Sequence, residues 1–453
     1  MAEGFTCKVN PAEYRSACQD LHEHEDTGYC VLHFPGEDKE ADFKRVKEGK
    51  LAQKDYDFSG AVFPVGSAEF QRFGFGESAS FNGAVFLGEA NFSVARFGGE
   101  VTDFSGARFG GEKTFFSGAR FGGEKTYGET TYFLGAQFSG EVTDFQDAQF
   151  RGEATSFQNA RFGGKRTYFS RALFGGETAY FIGAQFGGEQ TYFYGAQFGG
   201  AETRFQEATF MKEVDFGGAT FKERASFWGR KGNLVFSSGA WASFNNSRIE
   251  KPEQFTFNTV LLHPGWFINV DVRKVDFTDV TWYGMPGGPE GTLDEEIKEV
   301  REFESPHTLL AQACQRLSAN AEQNHDYPLA NEFYYWSMDA LRKENWRRFG
   351  LIRTMYWALS GYGVRARRAF SMLLGIWAAF ALLYLIVPSS PFAGFSVSDF
   401  GEATVYSLGA IARLNPEPKP DPGWFQFLVT LEGLLGPLQI GLLLLAIRRK
   451  VLR

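Results

Sequence analysis

From Phe58 to Phe244 phenylalanine recurs at alternating spacings of five and seven residues, and no other feature constrains the fold as tightly. Runs such as Phe97, Phe104, Phe109, Phe116 and Phe121, resumed at Phe133, Phe138, Phe145 and Phe150, fit neither a helical period nor one long strand. Two residues before each Phe stands a small residue. It is Ala after the short step (Ala107, Ala119, Ala136) and mostly Thr after the long one (Thr102, Thr114, Thr131). Side chains two apart on extended backbone share a face, so each large and small pair points the same way. The pattern predicts the sides of a tightly wound solenoid.

The seven-residue steps add two residues, mostly within Gly-Gly-Glu (98–100, 110–112, 122–124, 175–177, 187–189). Glycine there predicts corners with positive φ, one on every second side, and coils of about 24 residues, roughly eight of them. Glu100 and Glu124 then fall one coil apart, in a column of like charges that Lys113 and Lys125 offset. Between Phe121 and Phe133 the rhythm breaks, with Gly128 where Phe is expected. Either one core Phe is absent or a loop is longer.

On these residues the chain resembles the pentapeptide-repeat proteins in their Phe-centred form, over about two-fifths of its length. The resemblance implies a right-handed quadrilateral β-helix with four units per coil. At 453 residues, with Phe and Gly concentrated in the repeat and long apolar runs near the end, several domains are expected. We delimit a cap (1–45), the solenoid with its terminal coils (46–284), a helical hairpin (290–345), an interfacial amphipathic helix (346–368) and a two-span region (369–453). Residues 245–284, marked by Phe255, Phe257, Trp266, Phe267, Phe277 and Trp282, read as extended terminal coils.

The cap contains Cys7, Cys18, Cys30 and His33, with His22 and His24 between. Thiolate and imidazole suit tetrahedral zinc, and the two-residue gap in Cys30-Val-Leu-His33 lets neighbouring ligands chelate one ion. So short a segment has little core, and a structural zinc ion would supply its stability. Cys30-x-x-His33 followed by Phe34-Pro35 also resembles a leader found ahead of some pentapeptide-repeat proteins. No apolar N-terminal run suggests a signal peptide, so the N-terminus is expected in the cytosol.

The net charge is −8, but Leu341 to Arg368 is strongly basic. With Trp346, Phe349, Tyr356 and Trp357 beside Arg347, Arg348 and Arg353, this stretch predicts a helix on anionic membrane lipid; no nucleic acid partner is expected. Two apolar stretches follow, Ala369–Val387 and Trp424–Ile447, each long enough to cross a bilayer. Arg365, Arg367 and Arg368 precede the first, and Arg448, Arg449, Lys450 and Arg453 follow the second. The positive-inside rule places both termini in the cytoplasm of a bacterial inner membrane.

Between the spans, Ser398-Asp399 predicts an N-cap and Phe400 to Leu408 a short helix. Span, short helix, irregular return and span resemble the two-transmembrane pore domain of tetrameric cation channels. The resemblance implies a homotetramer, a pore or filter region at Ser407, Leu408, Gly409, Ala410, Ile411, Ala412 and Arg413, and a polar residue bracing the pore helix. The potassium filter motif is missing, and Arg413 would repel cations if it faced the pathway, so a potassium-selective pore is not expected. Gly361-Tyr-Gly363 precedes the first span and predicts a flexible turn. In the second span Glu432 is either that brace or a snorkelling side chain, and Gly436-Pro437 is a candidate gating hinge. No catalytic constellation emerges. The sequence supports an ion channel with a cytosolic sensing or scaffold domain for an unknown ligand or protein, or else a membrane-anchored binding scaffold. DNA mimicry fits poorly with a charge-balanced rod and two spans.

Overall fold

A computed structural model describes residues 5–19, 21–123, 129–232, 234–344, 346–387, 390–393, 396–414, 417–420 and 423–451, with backbone alone at 346–349 and 450–451. The chain divides into two compact units, Met1–Thr292 and Leu293–Arg453.

The first unit is a β-solenoid. Its first coil consists of β1 (Val62–Phe63), β2 (Ala68–Glu69), β3 (Gly74–Phe75) and β4 (Ala79–Ser80). Each begins a parallel sheet, and the four sheets contain seven, eight, eight and nine strands. Successive coils pair in register, Arg161 with Gln185 for example, 24 residues on. This register stacks the inward rings along each side: Phe86 lies 4.6 Å from Phe109 with planes 2° apart. Neighbouring stacks meet edge to face, as Phe133 and Phe145 do at 90°, which suits the aromatic quadrupole. The Phe and Ala positions are buried, and so are the inward Thr102, Thr131, Thr155 and Thr203.

The glycines work differently from the expectation. Positive φ falls mainly just before the Ala of each short step, at Gly106, Gly135, Gly183 and Gly195, and also at Asp147, Asn159 and Arg171; among the described Gly-Gly-Glu glycines Gly122 alone has it, with φ +94°. In Gly-Gly-Glu the requirement is closeness between coils. A Cβ on Gly176 would lie 1.7 Å from the Gly152 carbonyl oxygen, and one on Gly188 2.1 Å from that of Gly164.

The break after Phe121 lengthens its coil by five residues. Arg108 pairs with Gln137, 29 residues on, yet Phe104 stacks on Phe133 at 5.0 Å and Phe121 on Phe150 at 4.8 Å. Every stack remains continuous, so no core Phe is missing; Gly128, Glu124 and Lys125 lie outside the described residues. Glu129, not Glu124, follows Glu100 in register, because the Thr130 N–H donates to the Glu100 carbonyl. The Glu129 carboxylate accepts from the Gly123 N–H at 2.7 Å. On the other Glu corner lysines enter the column: Lys113 lies 3.8 Å from Glu89, and Lys165 pairs with Glu141.

The nine-stranded side extends through Asp276–Thr278, giving about nine coils where the Phe rhythm indicates about eight. The last coils are uneven in length, so the five-and-seven spacing misses them although Phe257 stacks on Phe277 at 5.7 Å. Trp266 and Phe267 occupy a 3-10 turn, Pro264–Phe267, where extended backbone was expected. Phe267 nonetheless stacks on Phe244.

At the other end α1 (Glu40–Ala52) covers the first coil, with the Phe43 ring 5.0 Å from Phe63. The cap thus continues past residue 45. Lys39, Lys47 and Lys50 are buried. Their ammonium groups lie over Phe43, Phe70 and Phe58 and donate to main-chain carbonyls.

The second unit is helical: α2 (Leu293–Glu299), α3 (Pro306–Gln323), α4 (Tyr327–Glu344), α5 (Trp346–Ser360), α6 (Ala366–Ile386), α7 (Val397–Ile411) and α8 (Trp424–Val451). Helices α3 and α4 form the expected hairpin, with Leu310, Ala313, Leu317, Ala330 and Phe333 buried. Pro328 sits in the first turn of α4, where no intrahelical N–H bond is lost. On α5, Leu351, Ile352 and Met355 are exposed. Several cations expected to face lipid are engaged within the unit. Arg353 donates to the Leu341 carbonyl, Arg342 and Arg368 lie over the Trp357 ring, and Arg365 grips Glu332 through two bonds of 2.6 and 2.7 Å. The side chains of Trp346, Arg347, Arg348 and Phe349 lie outside the described residues. Nor is Gly361-Tyr-Gly363 a loose turn: Tyr362 is fully buried, its hydroxyl within 3.2 Å of Asp339 and 3.1 Å of Arg342.

Candidate metal centre and buried carboxylate junction

Three separate segments bring Cys7, Cys18, Cys30 and His33 together, with all four ligand atoms within 4.8 Å of one another. Cys18 ends a 3-10 helix, Ala12–Cys18. Cys30 and His33 flank a tight turn in which the His33 and Phe34 N–H groups both donate to the Cys30 carbonyl. The Sγ atoms of Cys7 and Cys30 are 3.9 Å apart, and His33 Nδ1 lies 3.5 Å from Cys7 Sγ and 3.2 Å from Cys30 Sγ. Tetrahedral zinc with Zn–S bonds of about 2.3 Å has ligand–ligand edges of about 3.8 Å, close to these separations. His33 Nε2 lies 2.8 Å from the Ser59 carbonyl; donation there leaves Nδ1 free to bind a cation, the usual outer partner of a ligating imidazole.

Burial without a cation acts against the thiolate forms of Cys7 and Cys30. A hydrogen bond with Cys18 and burial push Cys30 up to about 12, burial pushes Cys7 up, and the bond to Cys30 draws Cys18 down. Buried thiolates need a compensating positive charge, and a divalent ion supplies it. The cluster could therefore hold a metal ion. His22 and His24 stay outside it; His24 packs on Phe34 at 4.9 Å.

In the second unit Glu432 of α8 is fully buried. Its carboxylate accepts from the hydroxyls of Tyr384 on α6 and Ser407 on α7. Snorkelling is thereby excluded: the side chain joins three helices. Around it Phe380, Tyr384, Phe392, Ala403, Tyr406 and Phe425 form an apolar cluster, and the Trp377 indole donates to the Thr404 carbonyl at 3.0 Å. Helix α7 begins earlier than expected and is longer. Ser396 is its N-cap and closes a capping box with Asp399, two residues before the Ser398 read from sequence.

The predicted pore or filter residues are split by this packing. Ser407, Ala410 and Ile411 are buried, Gly409 is partly buried, and Leu408, Ala412 and Arg413 are exposed. Arg413 ends α7 with φ +55°. The Leu414 N–H donates to the Gly409 carbonyl and that of Arg413 to Ala410, a Schellman motif with arginine in the place that favours glycine. Gly436 is a contact point, since a Cβ there would meet the Ile411 Cα at 2.9 Å. Helix α8 runs through Pro437 unbroken.

Sequence reasoning missed Gln439. It is fully buried, and its amide donates to the Leu359 and Ala369 carbonyls at 2.9 and 2.7 Å. A polar residue seven positions after Glu432 in an apolar run marks the same helix face, and was a signal to follow. The three buried lysines of the cap, at intervals of eight and three, were another.

Stacked four-sided coils of this kind define a β-solenoid class of protein. Residues 133–185 and 181–229 match the family model described as pentapeptide repeats (9 copies). Comparison with curated proteins and with solved structures returned no match. The chain thus carries a pentapeptide-repeat β-solenoid, followed by a helical region with two helices, Ala366–Ile386 and Trp424–Arg449, long and apolar enough to cross a membrane.

Proposed function

We propose that this protein is a bacterial inner-membrane ion channel, not selective for potassium, in which α6 and α8 span the bilayer and four copies assemble around an axis. The solenoid serves as a cytosolic sensing or scaffold domain, both termini are cytoplasmic, and the apolar face of α5 rests on lipid. The reading has no catalytic step.

The observation that carries it is the buried Glu432 junction. An anchor needs only apolar length; a carboxylate inside it, satisfied by Tyr384 and Ser407, is a costly feature whose use is to hold a short helix between two spans. Exposed Phe400, Val405 and Leu408 on α7 offer surface for a neighbouring copy. One observation favours the alternative, a membrane-anchored scaffold: Arg413 fixes a positive charge at the end of α7, where a cation pathway would need carbonyls.

Reconstitution of the purified protein in planar bilayers tests the proposal. Tetramers that pass current, with the current altered in Glu432→Ala or Arg413→Ala, support the channel. Tetramers silent across voltage, pH and lipid composition leave the scaffold, and a monomeric or dimeric membrane form excludes the pore. For the cap we propose a structural zinc ion held by Cys7, Cys18, Cys30 and His33.

A further inference from the structure

The end of a parallel solenoid is a row of unpaired strand edges, a template for pairing with another chain. Here the metal cluster and the covering of that edge are one construction. The Cys30–His33 turn supplies two of the four ligand atoms. Between them Leu32 presents its carbonyl to β1, accepting from the Val62 N–H at 2.8 Å. In the coils above, Val85 donates to Ala61 and Arg108 to Ala84 in the same way. Leu32 therefore stands where a preceding coil would stand.

The turn is held on its other side as well. Lys39 at the start of α1 donates to the Val31 and Leu32 carbonyls at 2.7 and 2.9 Å, and His33 reaches the first coil through the Ser59 carbonyl. The turn is only four residues long, closed by the His33 and Phe34 N–H groups on the Cys30 carbonyl, and α1 and the ligand atoms hold it in place.

We propose that a metal ion bound by Cys7, Cys18, Cys30 and His33 locks the cap onto the solenoid, so that releasing the ion uncovers β1 and opens the edge of the first coil. This rests on metal binding at the cluster but not on conduction. It assigns the ion a role beyond local stability: guarding a sheet edge some distance along the chain from its ligands.

Hydrogen–deuterium exchange on the full-length protein in detergent, with zinc bound and after removal by a chelator, tests the proposal. With zinc present, the segment containing the Val62 amide is expected to exchange as slowly as the one containing Val85. After chelation, exchange at Val62 should rise by about tenfold or more while Val85 changes little. Re-addition of zinc should restore protection. Cys18→Ser supplies a variant that spares the Cys30–His33 turn, and it should behave as the chelated protein does. Chelation that strips a bound ion without altering exchange at Val62 would overturn the proposal, since α1 alone would then hold the cap. So would a protein that takes up no stoichiometric zinc.

Discussion

The Nε–H of Arg413 donates to the carbonyl of Gly433 at 3.1 Å, and Gly433 stands four residues before Pro437. Proline has no N–H to return to the carbonyl four residues back, so Pro437 leaves that oxygen without its helical partner, and Arg413 takes it. Arg413 thereby ties the end of α7 to the middle of α8.

This makes Arg413 and Pro437 energetically coupled. Arg413→Ala should destabilise the detergent-solubilised protein by about 1 kcal/mol. In a Pro437→Ala background, where the residue-437 N–H can reclaim the Gly433 carbonyl, the same change should cost less. A double-mutant cycle on thermal unfolding reads the difference, and strict additivity would mean that the two sites are independent.

Glu432 should prove the most sensitive residue of the helical region. Glu432→Ala leaves the Tyr384 hydroxyl buried without its acceptor and the Ser407 hydroxyl with the Trp377 carbonyl alone, and is expected to cost about 2 kcal/mol. Ser407→Ala, which removes one donor, should cost about 1 kcal/mol. If both variants unfolded at the wild-type midpoint, the junction would carry no stability.

The two glycines of a Gly-Gly-Glu corner should respond differently to a methyl group. A Cβ on Gly175 meets its nearest neighbour at 3.7 Å, whereas one on Gly176 meets the Gly152 carbonyl oxygen at 1.7 Å. Gly175→Ala should be nearly neutral in thermal melts, and Gly176→Ala should lower the midpoint clearly. Equal effects would show that backbone conformation, not the closeness of the coils, selects glycine there.

Phe169 lies fully buried between Phe145 and Phe193, 4.9 Å from each. Phe169→Ala in a closed core of this kind costs roughly 3 to 5 kcal/mol, and Phe169→Asp should disrupt the coils around it. Circular dichroism and limited proteolysis of the solenoid are the measurements. A Phe169→Asp protein indistinguishable from wild type would refute the inward assignment.

Purified protein should contain about one zinc per chain, with Cys30→Ser and His33→Ala each losing it. Metal analysis of reduced preparations made without chelator decides the point, and full occupancy in Cys30→Ser would move the site elsewhere.

Much of this architecture is local and therefore legible in the sequence. A Phe with a small residue two positions before it states which way both side chains point, because alternation along extended backbone depends on nothing distant. The same holds for the helical hairpin, for the apolar length of α6 and α8, and for the chelating gap between Cys30 and His33. Tertiary structure decided whatever depends on a neighbour from another part of the chain. Gly176 is required by a carbonyl one coil away, and the extra residues after Phe121 are recognised as an insertion only because Phe104 meets Phe133. Lys39 is buried because it closes the Cys30–His33 turn against α1. Glu432 could be read as brace or as snorkel until Tyr384 and Ser407 were found on its oxygens, and the partner of Arg413 is visible only where Pro437 frees a carbonyl within its reach. Spacing along the chain fixes the direction of a side chain, while its partner is fixed only when distant segments pack together.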